Sequence, residues 1–384
     1  MNIWAEASQP AAAELLRGAA AAAAAGSTSA EMTHAWLLTG PPGSGRSTLA
    51  FAFASALIAG SPESEPVTHA QVEARTHPDL HVLTTEGVII RIDDVREVVK
   101  RSHFAPSAGH YRVIVVEDAD RMAEHTSNVL LKELEEPLET TVWILCAPSE
   151  ADLLPTIRSR VRSVRLATPA IETVAELLQS RLGVSAELAE QSARLAQSHV
   201  GMASRLASSD QARARREETI RLALGVRSTR GAVEAAARLL EIAGEDSSAL
   251  TEERNAEERD RAFRSLGLEP GAAVPPALRT QIKALEDDQK RRGTRALRDG
   301  VDRILTDLGS AYRDVLLLQL GASLELVNRE ALAELQHAAE ISRPEDTLHT
   351  LDAIAEARTR IHANVQPALA LEALLITARR TEPR

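Results

Sequence analysis

Gly40 to Thr48, in the stretch TGPPGSGRSTLA, follow the pattern of a loop that cradles a phosphate. Gly40, Gly43 and Gly45 allow the backbone to curl, with Pro41, Pro42 and Ser44 between them, so that successive N–H groups point inward at an anion. A helix opening at Arg46 would add its N-terminal dipole, and Ser47 or Thr48 a hydroxyl for Mg²⁺. Arg46 departs from this chemistry. Lysine places a compact charge between the β- and γ-phosphates, whereas a guanidinium is wide and planar and does not occupy the same pocket. Hydrolysis also needs acids at the end of a second strand, to hold the metal and polarise water. VIVVEDAD offers Glu117 and Asp118, with Asp120 beyond them. The same acids are accounted for as the polar end of a buried strand, so they leave hydrolysis open.

These side chains need a scaffold, and from about residue 35 to 165 the chain alternates short β-rich runs with amphipathic helical stretches. AWLLTG leads into the glycine loop and a helix over about 46–59; LHVLT (80–84), RVIVVED (112–118), TVWILCA (141–147) and VRSVRL (161–166) supply the other strands. Strands alternating with helices predict a parallel sheet covered on both faces, with the ligand crevice at the C-terminal strand ends. Thr168 and Pro169 form a helix start. The helical spacing of Ile171, Val174, Leu177 and Leu178 then opens a three-helix unit that runs to about Val226. The stretch 247–264 is crowded with charge, and GLEPGAAVPP (267–276) reads as a linker. Val301, Ile304, Leu305, Leu308, Tyr312, Val315 and Leu316 mark one face of a long helix. NVQPALALEALLI (364–376) belongs to a last one, and the two apolar faces exceed what a solitary helical hairpin needs, which predicts burial against other subunits. The expected chain is α/β plus all-α: a P-loop parallel-sheet domain over 1–167, a three-helix lid over 168–226, a charged segment and linker over 227–276, and a helical domain over 277–384.

The net charge of −11 argues against a whole surface dedicated to nucleic acid, because nonspecific affinity comes from neutralising phosphates with Lys and Arg. Aromatics are only 2%, so the cores must be built from Ala, Leu, Val and Ile. Cys146 is the single cysteine and lies in an apolar run; it is expected as a buried core thiol in a reducing cytoplasm. The run 19–25 is too short and too weakly apolar to cross a bilayer, so a soluble, cytoplasmic protein is expected.

Five stretches resemble, in order, the signature segments of bacterial clamp-loader AAA+ subunits: THPDLHVL (76–83), IDDVREVV (92–99), YRVIVVEDADRM (111–122), SNVLLKELEEP (127–137) and LLPTIRSRVRSV (153–164). The resemblance is strong over about 35–165, moderate over the three helices that follow, and weak beyond them. It implies an AAA+ fold with a lid and a C-terminal helical collar, and a part in loading the sliding clamp onto primed DNA for DNA polymerase III. Residue by residue, it puts Gly40 to Thr48 at the phosphates of a nucleotide and Ser149 at the polar first sensor. It puts Arg160 at the arginine that reaches into a neighbouring subunit's ATP site. Glu117 and Asp118 stand in swapped order, since the AAA+ pattern is Asp for Mg²⁺ followed by Glu for the water. Val161 replaces the motif cysteine, and the second sensor falls on Ser204 with Arg205 one step late. The four zinc-binding cysteines usual in the family are missing from GSPESEPVTHAQVEARTHPD. His69 and His77 alone cannot build a tetrahedral site, so zinc is not expected.

The favoured expectation is a stationary subunit whose own ATPase activity is weak or absent, with ATP or ADP and Mg²⁺ as possible ligands. It would donate Arg160 in trans and dock through its collar. The implied partners are the gamma/tau and delta clamp-loader subunits in a hetero-oligomer, the sliding clamp and primer–template DNA, with no membrane. Two alternatives stay open. A gamma/tau-like motor is disfavoured by Arg46, the swapped acids and the missing cysteines; a P-loop small-molecule kinase leaves LLKELEEP and RSR unexplained. Arg158, Arg162 and Arg165 lie near Arg160, and all four would also serve as plain surface charges. Lys100, Arg101 and Arg121 are expected as solvated helix residues rather than DNA ligands.

Overall fold

The computed structural model describes residues 4, 9–25, 32–61, 64–85, 89–265 and 279–379; the expected linker at 267–276 lies outside the described residues. The chain divides into two compact units, Met1–Ser208 and Ser209–Arg384.

The first unit is built on five parallel strands in the order β2-β3-β4-β1-β5. They are β1 (Ala35–Thr39), β2 (Leu80–Leu83), β3 (Arg112–Val116), β4 (Thr141–Ala147) and β5 (Arg162–Arg165), each where the sequence places it. Every residue of β1, β3 and β4 is buried, as both faces are covered. Alternation along the strands sorts the side chains into two cores. Trp36, Leu38, Val115 and Ile144 meet α1 (Pro10–Ala24), α2 (Arg46–Ala59) and α3 (Glu65–Glu73). Leu37, Ile114, Val116 and Leu145 meet α4 (Ile92–Ser102), α5 (Glu124–Glu135) and the short α6 (Pro155–Arg158). The α/β class holds. Cys146 lies in the first core, where burial pushes its thiol up to about 12.

Helix α1 has no counterpart among the expected elements. Its Ala12, Ala13, Ala19 and Ala20 bury small side chains around Leu16, which lets it lie close on α2. Helix α3 occupies the stretch where the family resemblance would put cysteines; Val72 enters the core and His69 Nδ1 lies 3.1 Å from Ser55 Oγ. Among the described residues no three His, Cys, Asp or Glu side chains are grouped to hold a metal ion.

The THPDL stretch has a structural cause. Asp79 is fully buried and accepts the backbone N–H groups of Ser107, Ala108 and Gly109, each at 2.7 Å. The Ser107 hydroxyl donates at 3.0 Å and Arg112 Nη2 at 3.2 Å. Burial alone would raise the Asp79 pKa, but these donors together hold it below the usual carboxylate value. The carboxylate thereby fixes the loop that delivers β3.

Three helices, α7 (Ile171–Leu182), α8 (Ala186–Leu195) and α9 (Val200–Ser208), close the first unit. The described residues of the second unit form helices: α10 (Asp210–Leu224), α11 (Thr229–Ser265), α12 (Arg279–Gln319), α13 (Leu332–Glu340), α14 (Pro344–His362) and α15 (Pro367–Thr377). The charged stretch 247–264 is part of α11. The apolar face of α12 forms as expected, but its cover comes from within the unit. Val301, Leu305, Leu308 and Val315 pack with Ile220, Leu239, Leu335, Ile354 and Leu371, and Tyr312 donates to the Ala223 carbonyl at 3.2 Å. The inference that this face needs other subunits is therefore corrected, because the described residues of the unit form six helices and not a hairpin. Leu320, Leu324, Leu369 and Ile376 stay exposed. Among the described residues no helix is long and apolar enough to cross a membrane.

Candidate functional site

Strand β1 delivers the glycine loop to the C-terminal edge of the sheet. Gly40 N–H donates to the Pro148 carbonyl at 3.2 Å just past β4, and Leu166 N–H to the Thr39 carbonyl at 2.7 Å just past β5, so both neighbouring strands tie down the loop's root. Gly43 and Gly45 sit at φ +80° and +87°, which L side chains rarely adopt, and Gly45 is the N-cap of α2. Ser47 and Thr48 are half-buried in the first turn of that helix. The backbone has the curl of a phosphate loop.

The chain's own groups engage it. Arg46 Nη1 donates to the Gly40 carbonyl at 2.9 Å, so the guanidinium folds back on the loop's backbone. A Cβ on Gly43 would stand 2.3 Å from the His199 ring: the α8–α9 connection rests on the loop. Gln9 Nε2 donates to the Ser44 carbonyl at 3.0 Å and the Ala167 carbonyl at 2.6 Å, bolting the entry of α1 to the loop and to the exit of β5. Pro41 and Pro42 are exposed at the rim.

Glu117 and Asp118 follow β3 at the same edge. Glu117 pairs with Arg75 at 2.9 Å, and Arg75 also lies 5.5 Å above the Phe51 ring. Asp118 lies 3.8 Å from Arg121. Burial holds Asp120 above the usual carboxylate range; nearby Asp118 adds to the shift and Arg46 opposes it. Ser149 is exposed and closes a capping box: its hydroxyl accepts from Ala151 N–H at 3.2 Å and its N–H donates to Asp152 at 2.9 Å. Ser204 and Arg205 lie within α9, and the residue that reaches the loop from this region is His199. These side chains share one edge, but the cation and the acid that a metal-bound nucleotide would need are directed at Gly40 and Arg75. Of the groups named, Arg46 and Glu117 are engaged within the chain, while Asp118 and Asp120 stand at the same strand end.

Arg160 lies at the other edge. It precedes β5, whose Arg162 pairs with Trp36 near the start of β1, so the four residues of β5, about 13 Å at 3.3 Å each, separate it from the level of the glycine loop. Its Nε donates to Glu135 Oε1 at 2.6 Å, and its Nη1 to the Thr156 carbonyl at 2.7 Å and the Ser159 hydroxyl at 3.0 Å. The neighbouring arginines differ: Arg162 stacks 5.0 Å over Trp36, while Arg158 and Arg165 are exposed. The LLKELEEP stretch gains a physical account here. Leu130 and Leu134 fill the core, Glu133 meets Ser102 and His103 at 3.3 and 2.9 Å at the end of α4, and Glu135 takes Arg160. Arg101 pairs with Glu97 at 2.6 Å, and the half-buried Arg121 lies 3.8 Å from Asp118.

Sequence reasoning missed Gln9, Arg75, Glu135 and His199. The contacts of the first three span 25 to 158 residues along the chain, and no local pattern announces them. Glu135 alone left a signal, a carboxylate in the last turn of a helix, where the dipole disfavours it.

Residues 20–170 match the family model described as DNA polymerase III, delta subunit. The chain is 38% identical over 138 residues to the DNA polymerase III delta-prime subunit of Pseudomonas aeruginosa, covering 34% of this chain and 42% of that protein. It is 34% identical over 143 residues to the delta-prime subunit of Escherichia coli, covering 35% and 43%. To the gamma/tau subunit of Mycobacterium tuberculosis it is 32% identical over 139 residues, covering 34% and 23%. The matches thus span less than half the length of these relatives. A gamma subunit-related protein of Thermotoga maritima superimposes with a TM-score of 0.44 at 19% identity, over 90% of this chain and 93% of that one. The matched residues 20–170 include the glycine loop, both acids, Ser149 and Arg160.

Proposed function

We propose that this chain is a stationary, delta-prime-like subunit of the DNA polymerase III clamp loader. It helps load the sliding clamp onto primed DNA during replication, lends Arg160 to a neighbouring subunit's ATP site, and turns over no nucleotide itself. One division within the sheet domain carries this. The groups for hydrolysis are engaged internally, Arg46 on Gly40 and Glu117 on Arg75, while Arg160 stands at the far edge, out of reach of its own loop. In this account ATP or ADP with Mg²⁺ is held without turnover, after Arg46 and His199 have left the loop. The partners are gamma/tau and delta subunits in a cytoplasmic hetero-oligomer, with the clamp and primer–template DNA. The helices over 168–226 serve as the lid, and the helical domain over 277–384 docks as a collar through the apolar set Leu320, Leu324, Leu369 and Ile376. A P-loop kinase has no use for the clamp-loader likeness.

The isolated full chain should release phosphate from ATP at the background rate. Arg46→Lys should not restore turnover, because Glu117 remains on Arg75. Steady phosphate release by the wild-type chain, abolished by Arg46→Ala, would favour the gamma/tau-like motor instead.

A further inference from the structure

We infer that Glu135 is the positioning residue for Arg160: its carboxylate stores the guanidinium in a withdrawn pose that a neighbour's nucleotide must displace, so the finger acts only on assembly. This rests on the trans role of Arg160 proposed above. Each of the three guanidinium nitrogens is engaged inside the chain, Nε and Nη2 on Glu135, Nη1 on the Thr156 carbonyl and the Ser159 hydroxyl. Held this way, the side chain presents no free fork to a phosphate. Glu135 itself occupies the last turn of α5, where the helix end's carbonyls repel a carboxylate. Nearby Glu133 is satisfied by His103 and Ser102; Glu135 is satisfied by Arg160. A local preference broken in this way points to a role beyond the helix's own stability.

The strength of the pair suits a latch. Its side chains are 32% and 46% exposed, so water and salt screen it and it holds weakly. A terminal phosphate carries more negative charge than one carboxylate and can accept bidentately, where Glu135 engages Nε and Nη2 through Oε1 alone, so it displaces Glu135 once a neighbour brings it within reach. The carboxylate orders the arginine of the free chain and gives it up to the correct partner.

The test uses the complete clamp loader reconstituted with the wild-type chain, Glu135→Gln, Arg160→Ala or the double variant, and measures ATP turnover with and without clamp and primed DNA. Glutamine keeps the shape and removes the charge. Glu135→Gln should raise the unstimulated rate roughly two- to fivefold and leave the stimulated rate unchanged, lowering the stimulation ratio. The double variant should fall to the level of Arg160→Ala. In the isolated full chain, the Arg160 Nε–H resonance, identified by its loss in Arg160→Ala, should exchange with water faster in Glu135→Gln. An unstimulated rate at or below wild type, or an unmoved exchange rate, overturns the latch while a defect in Arg160→Ala leaves the trans finger standing. If Arg160→Ala alters neither rate, the trans role fails and the latch goes with it.

Discussion

Arg160→Ala is expected to leave the composition of the clamp loader unchanged and to slow the ATP site facing this subunit by about 10³-fold or more. A guanidinium aimed at a γ-phosphate stabilises charge that develops in the transition state. Arg162 is committed to the face of Trp36, and Arg158 sits on the exposed side of α6. Total stimulated turnover should drop by the share of that one site, and clamp loading should drop with it. The fold should not suffer: the Arg160–Glu135 pair is partly exposed, and such pairs contribute roughly 0–1 kcal/mol. Arg158→Ala serves as the matched control, with normal turnover expected.

The largest loss of stability is expected from Asp79→Asn. Four donors from the 107–109 loop and the Arg112 guanidinium converge on this fully buried carboxylate. An amide turns one acceptor oxygen into a donor facing backbone N–H groups and leaves Arg112 without its buried counter-charge. Breaking a buried pair from one side costs about 3–5 kcal/mol, to be read as a lower urea midpoint at neutral pH. The pH dependence has a definite sign. The folded pKa of Asp79 is held below its unfolded value, about 3.9, so its stabilisation is fully present above that value and is lost as pH falls through the folded pKa. The gap between wild type and Asp79→Asn should therefore be widest at neutral pH and shrink below about pH 4.

Much of the sheet domain was legible in the sequence because its signals are local. AWLLT, RVIVV and TVWILCA are continuous apolar runs bounded by helical stretches, and a parallel sheet buried on both faces demands that pattern. The glycine loop was legible for a similar reason, since Gly43 and Gly45 must take positive φ. What the side chains of the loop do was not. Whether Arg46 stands over a phosphate or turns back to Gly40, and whether Glu117 is free or paired with Arg75, depends on residues brought together only by the folded chain. Helix α1 was missed because its buried face is nearly all alanine, which says little about what will cover it; its burial is decided by the face of α2 on which it lies. The second unit was misjudged at one point. The apolar stripe on α12 was read correctly, but its cover comes from α10, α11, α13, α14 and α15, and nothing in a stripe says which surface will cover it.

The central claim is that this chain supplies an arginine to another subunit's site and no hydrolytic site of its own. It is tested most directly by comparing clamp-stimulated ATP turnover in reconstituted loaders of matched composition that carry either Gly45→Val or Arg160→Ala. Valine at φ +87° removes the curl of the loop, and alanine removes the guanidinium. The account predicts normal turnover with Gly45→Val and a marked loss with Arg160→Ala. A loss with Gly45→Val and normal turnover with Arg160→Ala would contradict it, and would make this chain a motor.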